Sequence, residues 1–163
     1  MAQETRRVPA FLSGPTTATA VLLPMRLYVG YWWLQLGLGK LSEGWLSTDQ
    51  QFLPDLLKQQ NPPDWFAVTF IEAANENIYL FQWLIVTGEL LFGAMMLAVA
   101  ATRVAGAALA VMALIAFIAG GHDFGSWMIP MILMSITLAV AAAGRYLGLD
   151  AILRARMVKV PLF

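Results

Sequence analysis

The stretch "LIVTGELLFGAMML", residues 84–97, decides the fold, because it is apolar or uncharged throughout except for one acid near its centre. It belongs to a run from Ile78 to Thr102 that contains no charged residue besides Glu89. A run of about 20 apolar residues is long enough to cross the hydrocarbon core of a membrane as a helix. A charge at the centre of such a span costs about 2.5–3.5 kcal/mol on insertion scales, so Glu89 needs a partner, a proton or water.

The composition of the whole chain also indicates an integral membrane protein. Of its 163 residues, 60% are hydrophobic and 12% are charged, whereas a soluble domain carries about 25% charged residues. Basic and acidic residues number 10 each, without a basic tract, so nucleic acid is not an expected partner. The chain has no cysteine and one histidine, which excludes an iron–sulfur cluster, a thiolate metal site or a bis-histidine haem within it. Any redox cofactor has to be a diffusing molecule or belong to another subunit.

Four apolar segments predict four membrane-spanning helices, because lipid cannot satisfy the backbone of an open strand edge. The predicted fold class is therefore all-α, an integral membrane four-helix bundle. The predicted regions are an N-terminal arm (1–18), a transmembrane domain (19–144) and a C-terminal tail (145–163). Within the transmembrane domain, the spans are placed at 19–41, 78–101, 104–120 and 127–144, with an outer loop at 42–77.

The basic residues predict the orientation of the bundle. Most of them lie in the N-terminal arm, in the loop between the second and third spans, and in the C-terminal tail. If the chain crosses the membrane four times, these three regions fall on one side. Their basic residues are Arg6, Arg7, Arg103, Arg145, Arg154, Arg156 and Lys159. The opposite side has Lys40 and Lys58. The positive-inside rule then places both termini in the cytoplasm.

The outer loop contains two amphipathic stretches. Phe52, Leu53, Leu56 and Leu57 recur at helical spacing, and Phe66, Phe70 and Ala74 form a second pattern that Asp64 could cap. We expect two short helices on the outer membrane surface, which either form a lid over the bundle or merely connect two spans.

The first span presents a polar face toward the predicted interior. Arg26, Gly30, Trp33, Gly37 and Lys40 follow at spacings of four and three, which places them on one side of a helix. We expect an ion pair between Arg26 and Glu89, which either fixes the register of two helices or belongs to a polar pocket. Such a pocket could pass a proton or hold a quinone headgroup, whose carbonyl oxygens need donors such as Arg26, Trp33 or Gln35.

Two further features lie toward the third and fourth spans. The segment "GGHDFGSW" (120–127) is interpreted as an outer connection that is either an ordinary tight turn or the entrance for an anion or proton near His122 and Lys40. Metal binding there is not expected, because no further ligands cluster with His122 and Asp123. The third span carries a stripe of small residues that indicates close packing within the bundle or docking onto another subunit: Gly106, Ala110, Ala113, Ala116 and Gly120.

Three motifs resemble the DoxX/DoxD family of small bacterial membrane proteins. They are "RLYVGYWWLQLGLGKL" (26–41), "TGELLFGAMMLAVA" (87–100) and "AAGRYLGLDAIL" (142–153). The resemblance implies four helices with cytoplasmic ends in a bacterial inner membrane, and a role like that of a thiosulfate:quinone oxidoreductase subunit. It also implies that Arg26 and Glu89 are the intramembrane charges of the family and that Lys40 is its outer lysine.

These observations favour a membrane subunit of a quinone-linked oxidoreductase, with Glu89 and Arg26 as catalytic residues. The quinone would be held by Arg26, Trp33, Gln35, Lys40 and His122. Whether the chain itself catalyses a reaction stays open, because another subunit must supply the electrons. The alternative is a non-catalytic accessory subunit of a larger respiratory or photosynthetic membrane complex. A third hypothesis, a small transporter or proton path, would use Glu89 as its protonatable group.

Overall fold

The computed structural model describes residues 15–47, 62–98 and 101–141, and every regular element within these ranges is helical. The long helices are α1 (Pro15–Ser42), α4 (Ile78–Ala98), α5 (Thr102–Ala119) and α6 (Gly121–Val140). Between α1 and α4 lie α2 (Asp64–Phe66), a π-helical turn (Ala67–Ile71) and α3 (Glu72–Glu76). The chain is thus all-α where it is described, as the sequence predicts.

The four long helices pack beside one another with alternating directions. The closest pairs are α1 with α4 and α5 with α6, and α4 also packs on α5. A turn at Ala101, whose φ is 46°, reverses the chain between α4 and α5. Between α5 and α6, which also run in opposite directions, only Gly120 separates the two helices. Helices α1 and α6 touch as well, so the four helices enclose a common interior.

All four long helices contribute to one apolar core. In the core, an aromatic ring from α1 meets methionine and leucine side chains from the other helices, while alanines on α5 let the backbones approach. Its buried members are Val29, Trp33, Met96, Ala105, Leu109, Ala113, Met131 and Leu138. The predicted small-residue stripe belongs to this packing: a Cβ at Gly106 would lie 2.9 Å from the Ala139 nitrogen. Close packing within the chain therefore accounts for Gly106.

Many large apolar side chains point away from this core. They include aromatic residues on α1 and aliphatic residues on α4, α5 and α6: Leu27, Tyr28, Tyr31, Leu84, Leu91, Val111, Leu114, Leu133 and Ile136. Among the described residues, α4 and α5 are long and apolar enough to cross a membrane. The described apolar part of α6, Ser126–Val140, is shorter. The prediction of four spans therefore stays a prediction.

The boundary of the fourth helix differs from the predicted one. Helix α6 begins at Gly121, six positions before the expected start at Trp127, so most of "GGHDFGSW" is helical rather than a turn. Gly120 has a φ of −77°, and its N–H donates to the Ala116 carbonyl at 2.8 Å, which continues the hydrogen bonding of α5. The glycines suggested a turn because they permit positive φ, but Gly120 does not adopt it here.

The second amphipathic stretch predicted within residues 42–77 is confirmed as helical. Phe66 and Ala74 are buried, and Phe66 stacks on Phe70, with ring centroids 4.9 Å apart. Phe70 in turn meets Phe81 of α4 edge-on at 5.5 Å, which ties the stretch to the bundle. The prediction that Asp64 caps this helix is wrong: Pro63 occupies the N-cap position and no side chain bonds there, because Asp64 is already the first helical residue.

Several predicted features lie outside the described residues. They are the first fourteen residues of the arm, the amphipathic stretch at 52–57, Lys58, the region from 142 onward with its family-like motif, and the side chains of His122 and Asp123.

Candidate functional site

The polar face predicted for α1 lies against α4. Arg26 and Trp33 are each 2% exposed, Gly30 and Gly37 are buried, and Lys40 is half-buried. The opposing face of α4 has the same spacing of four and three, with Gln82, Val86, Glu89, Gly93 and Met96 buried. The two helices therefore meet along two matching stripes, and the periodicity of each sequence is the reason.

Glu89 is paired with Lys40. The Lys40 ammonium donates to Glu89 Oε1 at 2.6 Å, and the side chains are 18% and 5% exposed, respectively. The predicted ion pair between Arg26 and Glu89 is therefore wrong. The partner is the basic residue at the other end of the same stripe.

The register of the two helices explains this correction. A Cβ at Gly37 would lie 3.2 Å from Glu89 Cβ, and one at Gly30 would lie 2.9 Å from Leu97 Cγ. Arg26 is one turn beyond Gly30, so it is level with the C-terminal end of α4, where cations are favoured by the helix dipole. About 21 Å of helical rise separates Arg26 from Lys40.

Two buried polar atoms on the facing stripes of α1 and α4 have no hydrogen-bond partner among the described residues. One is Glu89 Oε2, the oxygen that Lys40 does not bind, and the other is the indole nitrogen of Trp33. Trp33 is one turn from Gly37, which itself lies against Glu89. Buried polar atoms in proteins are nearly always bonded. A hydrogen-bond acceptor and a donor are thus available within the α1–α4 interface.

The end of the site beyond Lys40 contains residues that the sequence analysis did not assign to it. Gln82, which is 1% exposed, donates to the Trp45 carbonyl. The Trp45 ring lies 5.3 Å from the Lys40 ammonium, and its indole N–H donates to Glu43 at 3.2 Å. The spacing from Gln82 to Glu89 is two helical turns, so the pattern that revealed the α1 face would also have found Gln82.

Two predicted quinone contacts are not brought to the interface. Gln35 is exposed on α1, because a position two residues from Trp33 points to a different side of the helix. The side chain of His122 is among those not described. Within the described residues, no three His, Cys, Asp or Glu side chains are grouped so that they could hold a metal ion.

Comparisons with known proteins identify no family for the chain. No protein-family model, no curated protein and no solved structure matches the chain.

Proposed function

We propose that the chain is a multi-pass protein of a bacterial inner membrane. The support comes from α4 and α5, in whose most apolar stretches only 28% of the residues are buried. A core helix of a soluble protein would be mostly buried, whereas here most of the apolar surface faces outward. Large exposed side chains on α1 and α6 extend this surface around the bundle. A lipid environment accounts for such an exterior.

We further propose that it is a DoxX/DoxD-like subunit of a quinone-linked oxidoreductase. The observation that carries this proposal is the pair of buried polar atoms on the facing stripes of α1 and α4, Trp33 Nε1 and Glu89 Oε2, the second of which belongs to the Lys40–Glu89 ion pair. A quinone headgroup presents carbonyl acceptors and, when reduced, hydroxyl donors, so this donor and this acceptor fit it. A bound quinone would supply two-electron, two-proton acceptor chemistry.

Each residue then has a distinct role. The Trp33 N–H orients a carbonyl oxygen, and Lys40 holds the Glu89 carboxylate in place by a charge-assisted bond at 2.6 Å. Glu89 Oε2 accepts a hydroxyl hydrogen and can relay a proton. Arg26 has no direct part in this scheme, because it lies at the other end of the interface. Electrons have to come from a partner subunit, since the chain has no cysteine.

Binding of a short-chain benzoquinone to the purified chain in lipid nanodiscs tests the proposal. Removal of one hydrogen bond by Trp33→Phe should weaken binding about 5- to 10-fold, and Glu89→Gln should weaken it as well. The matched control is Trp65→Phe, because Trp65 is exposed on α2. Absence of binding to the native chain, or equal affinity of the Trp33→Phe variant, contradicts the quinone site.

A non-catalytic accessory subunit is the second candidate. The observation that favours it is the ion pair itself, since Lys40 and Glu89 neutralise each other at an interface that Gly30 and Gly93 bring close together. The pair would then fix helix register within a larger respiratory or photosynthetic complex. If the chain remains in a large complex in mild detergent and Glu89→Gln leaves turnover of that complex unchanged, this candidate is favoured over the first.

A further inference from the structure

Ser135 on α6 has a buried hydroxyl that the fold does not use. The residue is 0% exposed, and its Oγ has no hydrogen-bond partner in the part of the chain that the structure describes. A serine or threonine inside a helix commonly bonds the carbonyl of the preceding turn. Thr137, two residues later and exposed, does so with the Leu133 carbonyl at 2.8 Å. Ser135 lacks this bond.

The neighbours of Ser135 place it on the core face of α6. Met131 and Leu138 precede and follow it by four and three positions, which is the spacing of one helix face. Both belong to the same buried cluster as Trp33 of α1. On the α5 side, a Cβ at Gly106 would lie 3.0 Å from the Ser135 carbonyl oxygen, so the backbones of α5 and α6 touch there. The interior enclosed by the four helices is therefore where the Ser135 side chain lies.

We propose that Ser135 is a third contact for the ligand bound by Trp33 and Glu89, an inference that rests on the quinone site proposed above. Three helices would then each supply one buried polar atom: a donor from α1, an acceptor from α4 and, from α6, a hydroxyl that both donates and accepts. A ring carrying two oxygens, each either a carbonyl or a hydroxyl, satisfies this set in its oxidised and in its reduced form. Ser135 adapts to either form because its hydroxyl hydrogen can rotate.

The thermal stability of the ligand-free protein provides a second, independent test of the role of Ser135. A buried hydroxyl without a partner destabilises the fold, and an apolar replacement of similar shape removes this penalty. Ser135→Ala should therefore leave the melting temperature of the ligand-free protein unchanged or raise it, while it weakens ligand binding. A serine whose role is only structural would show the opposite pattern, with a lower melting temperature and unchanged affinity.

The experiment measures benzoquinone affinity and thermal unfolding for the full chain in nanodiscs. We expect the dissociation constant of Ser135→Ala to rise about 3- to 10-fold. Ser135→Cys, which keeps the volume and a weak donor, should fall between this variant and the native chain. Thr137→Ala is the matched control, because it removes an exposed hydroxyl from the same helix.

The outcomes separate the two proposals. If the native chain binds and Trp33→Phe weakens binding but Ser135→Ala does not, the quinone site stands and the role of Ser135 is refuted. If the native chain does not bind benzoquinone at all, the proposed function fails and the role of Ser135 fails with it.

Discussion

Breaking the Lys40–Glu89 pair from the lysine side should be the most destabilising single change in the interface. The two charged groups are 2.6 Å apart, and at an effective dielectric constant of about 20 their gross attraction is about 6 kcal/mol. Desolvation offsets part of this gain. Removal of one partner of a buried pair typically lowers the free energy of unfolding by about 3–5 kcal/mol. We expect Lys40→Met to fall in this range, because Glu89 is left in an apolar interior.

Replacement of Glu89, with Lys40 kept, should destabilise the protein less. Lys40 is in the last turn of α1 and its side chain is 18% exposed, so without Glu89 its ammonium can extend toward water while its methylene stem stays packed. Glu89→Leu should therefore lower the free energy of unfolding by about 1–2 kcal/mol. The double variant with Met at 40 and Leu at 89 leaves no unpaired charge. Its free energy of unfolding should lie within about 1 kcal/mol of that of the native protein.

Unfolding by sodium dodecyl sulfate in mild-detergent micelles, followed by tryptophan fluorescence, measures these four proteins as a double-mutant cycle. Glu76→Gln is a suitable control, because Glu76 is an exposed acid on α3. Equal losses from the two single changes would refute the asymmetry between Glu89 and Lys40. A double variant that loses the sum of the two single effects would refute the coupling itself.

Two further predictions concern packing. Gly93→Ala should lower the free energy of unfolding by about 1–3 kcal/mol, because the added Cβ would lie 2.9 Å from the backbone nitrogen of Leu34. Gly39→Ala should not lower it, because no atom lies within 4 Å of the added Cβ. Thermal unfolding of the two variants measures both effects. Phe66→Ala should remove about 3–5 kcal/mol of local stability and speed hydrogen exchange across 64–76. Trp65→Ala should have little effect, because the Trp65 side chain is 62% exposed. Equal exchange rates in the two variants would contradict the anchoring role of Phe66.

The residues that face the interior could be predicted from the sequence because each helix carries its own periodicity. Four members of the α1 stripe, from Arg26 to Gly37, are buried as expected. The start of α4 at Ile78 also agrees with the prediction. These features depend only on local spacing and on where an apolar run begins, and a single sequence contains both.

The partner of Glu89 could not be predicted in the same way, because periodicity within one helix does not fix its register against another. The predicted pair of Arg26 and Glu89 required a register between the two helices that the spacing within each helix does not contain. The actual register follows from close contacts at Gly30, Gly37 and Gly93. Glycine spacing was visible in the sequence, but which glycines oppose each other is a property of the packed pair.

The same glycine contacts restrict the route by which the proposed ligand would reach the interface. At Gly30 and Gly93 the backbones are so close that a Cβ on Gly93 would lie 3.1 Å from the Gly30 carbonyl oxygen, which closes the end of the interface that leads to Arg26. At the other end, the Lys40 side chain is more exposed than that of Glu89. The Trp45 ring lies beside the Lys40 ammonium, and Gln82 donates to the Trp45 carbonyl. We therefore expect the proposed ligand to reach Glu89 past Lys40, on the side where Trp45 lies.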